Sequence, residues 1–288
     1  KYSVYANIVV HSASSIIKIL LIVINASLDA FVLVILFDSV FLAIGYVYFY
    51  FHNNLSIREW KFESKVAIEL FKDSWPLLFS GVAIAVYMRV DQVMIKEMLD
   101  LNAVGQYAAA VRVSEAWYFV PILVGASLSP AIFNAKRASE RLYYLRLQSF
   151  YAAIVWSAIL IATPIAVFSE EIIDVLYDVD YSDAAHVLVI HVWAGIFLSL
   201  GVACGKWYIA ENYARGALYK ALLGMSVNIV GNYILIPIYG INGAAISTLL
   251  AHFSANILYD MFDRRVRGQL KYKLRAFFPI YLLFNRRF

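Results

Sequence analysis

Residues 74–118 read SWPLLFSGVAIAVYMRVDQVMIKEMLDLNAVGQYAAAVRVSEAWY. Two long apolar runs, over 74–96 and 106–127, flank a short polar turn. A helix crossing the hydrocarbon layer of a bilayer needs about 20 mostly apolar residues. Lipid offers backbone N–H and C=O groups no partner, so such a run must satisfy them within its own helix. The stretch therefore reads as an antiparallel pair of spanning helices. Six more runs meet the same test, over 3–25, 29–51, 147–168, 185–209, 217–238 and 242–261. They are too long for the strands of a membrane barrel and do not alternate. The fold class is all-α, a polytopic transmembrane helical bundle of about eight spans.

The composition agrees. Of 288 residues, 62% are hydrophobic, against roughly 45–50% in soluble domains, and the mean hydropathy is +0.71. That excess suits a surface facing lipid rather than one buried core. The 21 Tyr and 19 Phe suit aromatic belts at the membrane–water interfaces. The net charge of +4 does not point to nucleic acid, because the basic residues gather in alternate connections. Loop 52–72 carries Arg58, Lys61, Lys65 and Lys72; loop 134–146 carries Lys136, Arg137, Arg141 and Arg146; loop 206–220 carries Lys206, Arg215 and Lys220. The tail after Asp263 is basic too, whereas 26–28, 97–105, 169–184 and 239–241 have neither Lys nor Arg. By the positive-inside rule the basic loops and the C-terminus are cytoplasmic. The single cysteine, Cys204, has no internal disulfide partner.

The first apolar run is too long for the core of a signal peptide and reads as a true span, in a chain that lacks its natural N-terminus. The expected organisation is two helices over 1–52, a cytoplasmic linker over 53–72, six helices over 73–263 and a basic cytoplasmic or interfacial tail over 264–288. In that tail the short apolar run Ala276–Phe284, broken by Pro279, suits the interface. The outer loop 169–184 is acidic. Its Asp178-Val179-Asp180 matches a short metal-holding pattern of sugar-nucleotide enzymes, but nucleotide sugars are cytoplasmic and this loop is not. No GxSxG, HExxH, phosphate-binding loop or paired-cysteine motif is present. The chain therefore reads as a transporter rather than an enzyme, with no ATP site, metal site or cofactor of its own.

Ionisable groups at membrane depth are costly and mark function by default. Counting from Leu101, Asp91 lies ten residues before the turn and Arg112 eleven after; Arg89 lies twelve before and Glu115 fourteen after. At a rise of about 1.5 Å per residue, each couple is level. Two crossed Arg–carboxylate pairs are expected, either fixing helix register or lining a hydrated path in which Arg would meet a phosphate or sugar. Lys18 lies deep in the first span. Asp38 is not level with it by the same count, so Lys18 either snorkels or meets an anionic lipid carrier. A neutral polar stripe, Asn228 and Asn232 on one helix and His252 and Asn256 on the next, is expected to pack the last two spans through interhelical hydrogen bonds.

Ser74–Tyr118 resembles the seventh and eighth helices of the polysaccharide transporters, the family of the O-antigen flippases within the multidrug/oligosaccharidyl-lipid/polysaccharide exporter superfamily. Asn228–Thr248, NIVGNYILIPIYGINGAAIST, resembles the penultimate-to-last hairpin of the same superfamily. The resemblance implies a two-lobed transporter of twelve or more helices, with spans one and two here as helices five and six and the next six as the C-terminal lobe. It further implies alternating-access flipping of undecaprenyl-diphosphate-linked oligosaccharide across the bacterial inner membrane, with H+ or Na+ as possible coupling ion and other polysaccharide-assembly proteins as possible partners. By position, Arg89, Asp91, Arg112 and Glu115 would belong to its cavity. Two competing readings are a cation-coupled drug exporter of the same superfamily and a membrane-embedded glycan polymerase or glycosyltransferase. The drug exporter would want net carboxylate in its cavity. The enzymes usually need a large outer loop with catalytic Asp, Glu, His or Arg; the outer loops here are short except 169–184, which contains no Lys, Arg or His.

Overall fold

The structure is a computed structural model that describes residues 2–53, 56 and 60–278. Arg58 and the apolar run from Pro279 onward lie outside these residues. Fourteen α-helices run through them. They compose eight helical stretches long and apolar enough to cross a membrane, and no strand occurs among the described residues.

The chain divides into two compact units, Lys1–Ile68 and Glu69–Phe288. The first unit contains α1 (Tyr2–Val23) and α2 (Leu28–His52). They turn at Asn25, which adopts a left-handed φ of 50°, a conformation asparagine tolerates better than most side chains. Large apolar residues such as Val9, Ile19, Val23, Leu36 and Phe41 remain exposed on both helices. Helix α3 (Ser64–Tyr87) begins inside the expected linker, so residues 64–72 are helical.

The second unit continues with α4 (Val90–Met98), α5 (Leu101–Glu115), α6 (Phe119–Ala138), α7 (Glu140–Val167), α8 (Ser169–Leu176), α9 (Ser182–His191), α10 (Ala194–Ala210), α11 (Ala214–Tyr239), α12 (Ile241–Phe253), α13 (Tyr259–Phe262) and α14 (Arg267–Ala276). Side-chain caps start α5 and α7. Asp100 accepts from the Ala103 N–H at 2.8 Å and Ser139 from the Leu142 N–H at 3.1 Å, each satisfying a donor that a helix start leaves unpaired. The α11–α12 turn is made by Gly240 at φ +57°. More than two turns back along α11, a Cβ on Gly231 would lie 2.9 Å from the Ser247 hydroxyl; a bare backbone lets the two helices approach as small residues do in membranes.

Four of the spanning stretches are interrupted. The α3–α4 span breaks at Met88–Arg89, the α5–α6 span at Ala116–Tyr118 and the α9–α10 span at Val192–Trp193. At each break the ladder tightens to three-residue bonds, such as Arg89 N–H to Val86 O, Tyr118 N–H to Glu115 O and Ile196 N–H to Trp193 O. Pro121, in the first turn of α6, has no N–H to give to the turn before it. The last span widens instead, into a π-helical turn over Ser254–Leu258. Such irregular backbone at membrane depth is tolerated where protein or water satisfies it, and π-bulges frequently mark functional sites.

Within the basic tail, residues 267–276 are helical. Helix α14 packs on α7, with Gln269, Lys273 and Ala276 buried. Outside the spans, burial pushes the Asp263 carboxyl up, but hydrogen bonds from Tyr259 and Tyr213 outweigh this and hold it below the usual carboxylate range.

Candidate functional site: a charged cleft beside a buried carboxylate

Helices α4 and α5 enclose a cleft of about 420 Å³, lined by Arg89, Gln92, Ala108, Val111, Arg112, Glu115 and Ala116. Positions 108, 111, 112 and 115 are three or four apart and so share one face of α5. Arg89 stands in the break before α4, and its Nη2 donates to Glu115 Oε2 at 3.1 Å. Arg112 opens into the same cleft and makes no ion pair among the described residues. Two guanidinium groups and one carboxylate leave the cleft one positive charge in excess.

Asp91 does not pair with Arg112. It turns into the protein, 2% exposed, and accepts from Tyr107 OH at 2.7 Å, Thr248 Oγ1 at 2.6 Å and Asn232 Nδ2 at 2.6 Å. Counting residues from the turn fixes depth and ignores direction. Asp91, in the first turn of α4, faces Tyr107, Asn232 and Thr248 rather than the cleft that Arg89 and Gln92 line. Likewise Tyr107 and Arg112, five apart, leave α5 on different faces.

The polar stripe divides. Its first half joins the Asp91 site: Asn232 Nδ2 also lies 3.3 Å from Asn228 Oδ1, and Asn228 Nδ2 lies 3.4 Å from Thr248 Oγ1. Asn232 Oδ1 is buried without a partner. These groups come from α4, α5, α11 and α12, so no local motif announces the site. Its second half lies elsewhere. The His252 ring meets Tyr87 edge-on with centroids 5.2 Å apart, and Asn256 Oδ1 accepts from Lys220 Nζ at 2.8 Å. Across to α12, Asn228 meets Thr248, one turn before His252.

A second buried set surrounds the π-helical turn. Lys273 and Asp260, both 0% exposed, pair at 2.8 Å, and Lys273 also donates to the Asn256 carbonyl at 2.8 Å. Gln269 on the same helix accepts from Tyr151 OH at 3.1 Å. Lys220 and Lys273 read in the sequence as loop and tail charges. Asp260, an acid inside the last span, was the available signal.

In the first unit Lys18 is paired after all: its Nζ lies 3.3 Å from Asp38 Oδ2, which also accepts from Ser14 at 2.7 Å. Counted from Asn25, the six-residue difference in level is about 9 Å, bridged by the four-carbon lysine stem together with the reach of the Asp38 side chain.

Comparisons with known proteins agree with this architecture. Residues 1–136 match the family described as polysaccharide biosynthesis protein. The chain is 26% identical over 199 residues to the probable low-salt glycan biosynthesis flippase Agl15 of Haloferax volcanii, an alignment covering 68% of this chain and 42% of that protein. It is 28% identical over 201 residues to an uncharacterized membrane protein of Methanocaldococcus jannaschii, covering 67% of this chain and 38% of that one. The chain thus spans less than half the length of these relatives. Its fold is similar to that of the lipid II flippase MurJ in an inward closed conformation, with a TM-score of 0.58 at 18% identity over 87% of this chain and 56% of MurJ. In its spanning helices, their order and the match over residues 1–136, the chain is similar to polysaccharide biosynthesis proteins and to flippases.

Proposed function

We propose that this chain is part of a flippase for lipid-linked oligosaccharide, and that the cleft of Arg89, Arg112 and Glu115 receives the phosphate groups joining sugar to lipid. The observation that carries the reading is the excess positive charge of a cleft set within two spanning stretches. An arginine at that depth has few uses, and a planar guanidinium suits a phosphate through two parallel hydrogen bonds. The finer reading is an undecaprenyl-diphosphate-linked repeat unit of the O-antigen kind, moved across a bacterial inner membrane by a protein whose C-terminus is cytoplasmic. Alternating access is supported by the interrupted helices, which give the second unit places to bend.

Asp91 is the natural seat of coupling. Three neutral donors surround it, and no cationic side chain among the described residues pairs with it. Burying a bare carboxylate at membrane depth costs several kcal/mol, so a proton or a small cation such as Na+ neutralises it. The surrounding oxygens of Asp91, Asn232 and Thr248 are the hard donors that either would need.

The test is complementation. The complete flippase carrying Arg89→Ala and Arg112→Ala together is expressed in a strain lacking its own flippase. Loss of surface polysaccharide with normal membrane abundance is expected; retention would remove the basis of the proposal.

A further inference from the structure

The two arginines of the cleft differ in what they are free to do. Arg112 makes no ion pair among the described residues, whereas Arg89 is engaged by Glu115. The Arg89 side chain is 59% exposed and that of Glu115 19%. An ion pair with one partner so open contributes little to stability. The contrast is Lys273 with Asp260, closed off from every side, which ties a helix in place. The Arg89–Glu115 pair therefore does little as a staple, yet it occupies a cation that the cleft would otherwise offer to a ligand. Both partners also stand at interruptions. Arg89 is the residue before α4, and Glu115 is the last residue of α5, so neither is locked on both sides by regular helix.

We infer that Glu115 is an intramolecular stand-in anion, which holds Arg89 until a diphosphate anchored by Arg112 displaces it. The inference rests on the phosphate-binding reading of the cleft. A monoanion gains from Arg112 alone and must compete with a tethered carboxylate for Arg89. A diphosphate carries more charge and more acceptor oxygens, and it can engage both guanidinium groups at once. Glu115 thereby sets a threshold: stray carboxylates and singly charged headgroups leave the pair closed, and a diphosphate opens it. It acts as a specificity residue.

The experiment uses the full chain in nanodiscs of zwitterionic lipid. Binding of inorganic pyrophosphate, farnesyl diphosphate and acetate is measured by titration calorimetry. Glu115→Gln keeps the shape and removes the charge. Relative to the unaltered chain, it should bind pyrophosphate roughly tenfold tighter and gain more for acetate, so that the preference for diphosphate narrows. Arg89→Ala should cost more affinity in the Glu115→Gln background than alone, because only there is Arg89 free. A staple behaves differently: Glu115→Gln would lower the unfolding temperature by several degrees or fail to fold, and affinity would not rise. Either of those results overturns the inference. If the unaltered chain binds in an Arg112-dependent way and Glu115→Gln is no tighter, the role of Glu115 falls and the cleft reading stands. If no probe binds in an Arg112-dependent way, both fall. Farnesyl diphosphate binding well above pyrophosphate assigns the phosphate to a lipid; equal binding assigns it to a free anion, which overturns the lipid-linked reading and leaves Glu115 its role.

Discussion

Replacing Asp91 by alanine removes the acceptor for three buried donors, Tyr107 OH, Thr248 Oγ1 and Asn232 Nδ2. A buried donor left without a partner costs about 1–3 kcal/mol, so the unrelaxed loss would be three times that. Relaxation is built into the site. Tyr107 OH already lies 3.3 Å from Thr248 Oγ1, and Asn232 Nδ2 lies 3.3 Å from Asn228 Oδ1, so two donors have a fallback and one hydroxyl is left over. The expected net cost is about 2–4 kcal/mol, one orphaned donor plus weakened geometry at the others. Asp91→Asn should behave differently. Its amide nitrogen would face Asn232 Nδ2, donor against donor, but Asn232 Oδ1 has no partner among the described residues, so a flip of that side chain restores this bond and gives up the longer 3.3 Å bond to Asn228 Oδ1. The amide also removes the charge that the site must neutralise. We expect Asp91→Asn to cost about 1 kcal/mol, the one long hydrogen bond given up, while abolishing any stabilisation of the protein by Na+ or by acid. The assay is thermal unfolding followed by a thiol-reactive dye, which reads the exposure of the single buried cysteine, Cys204. If Asp91→Asn is as damaging as Asp91→Ala, or if Na+ and acid stabilise it as they stabilise the unaltered chain, the reasoning fails.

The same assay checks the other expectations. Lys273→Met leaves Asp260 buried and unpaired and should cost about 3–5 kcal/mol, whereas the double variant with Asp260→Leu should recover much of that loss; a double variant worse than the single one would refute the account. Lys18→Ala should cost under about 1 kcal/mol, because Lys18 is 39% exposed and such pairs are weak. Gly231→Leu should destabilise strongly by forcing α11 from α12, since even a Cβ there lies 2.9 Å from Ser247; unaltered stability would contradict the close approach. Asp263, whose carboxyl is held below its ordinary range, contributes stability that is full above about pH 4. That contribution is lost as the pH falls through its lowered folded value, so Asp263→Asn should flatten the acid limb of a stability–pH curve and leave the neutral region level.

Membrane embedding, helical class and the number of spans were legible from residues 74–118 and the runs around them, because lipid imposes one rule on every spanning segment and hydropathy reads it directly. Depth was legible as well: counting from Leu101 set Arg89 against Glu115, and they do meet. Direction was not. Asp91 and Arg112 are level but leave their helices on different faces, and the partners Asp91 takes come from positions 107, 232 and 248. Lys220 and Lys273 looked like loop charges until α14 folded back on α7 and enclosed one of them with Asp260. One-dimensional patterning records how far along the membrane normal a residue lies and whether its neighbours tolerate lipid. Which carboxylate stays in an open cleft and which is sealed among hydroxyl and amide groups depends on helix rotation and packing between segments distant in sequence, and only the tertiary structure decides that.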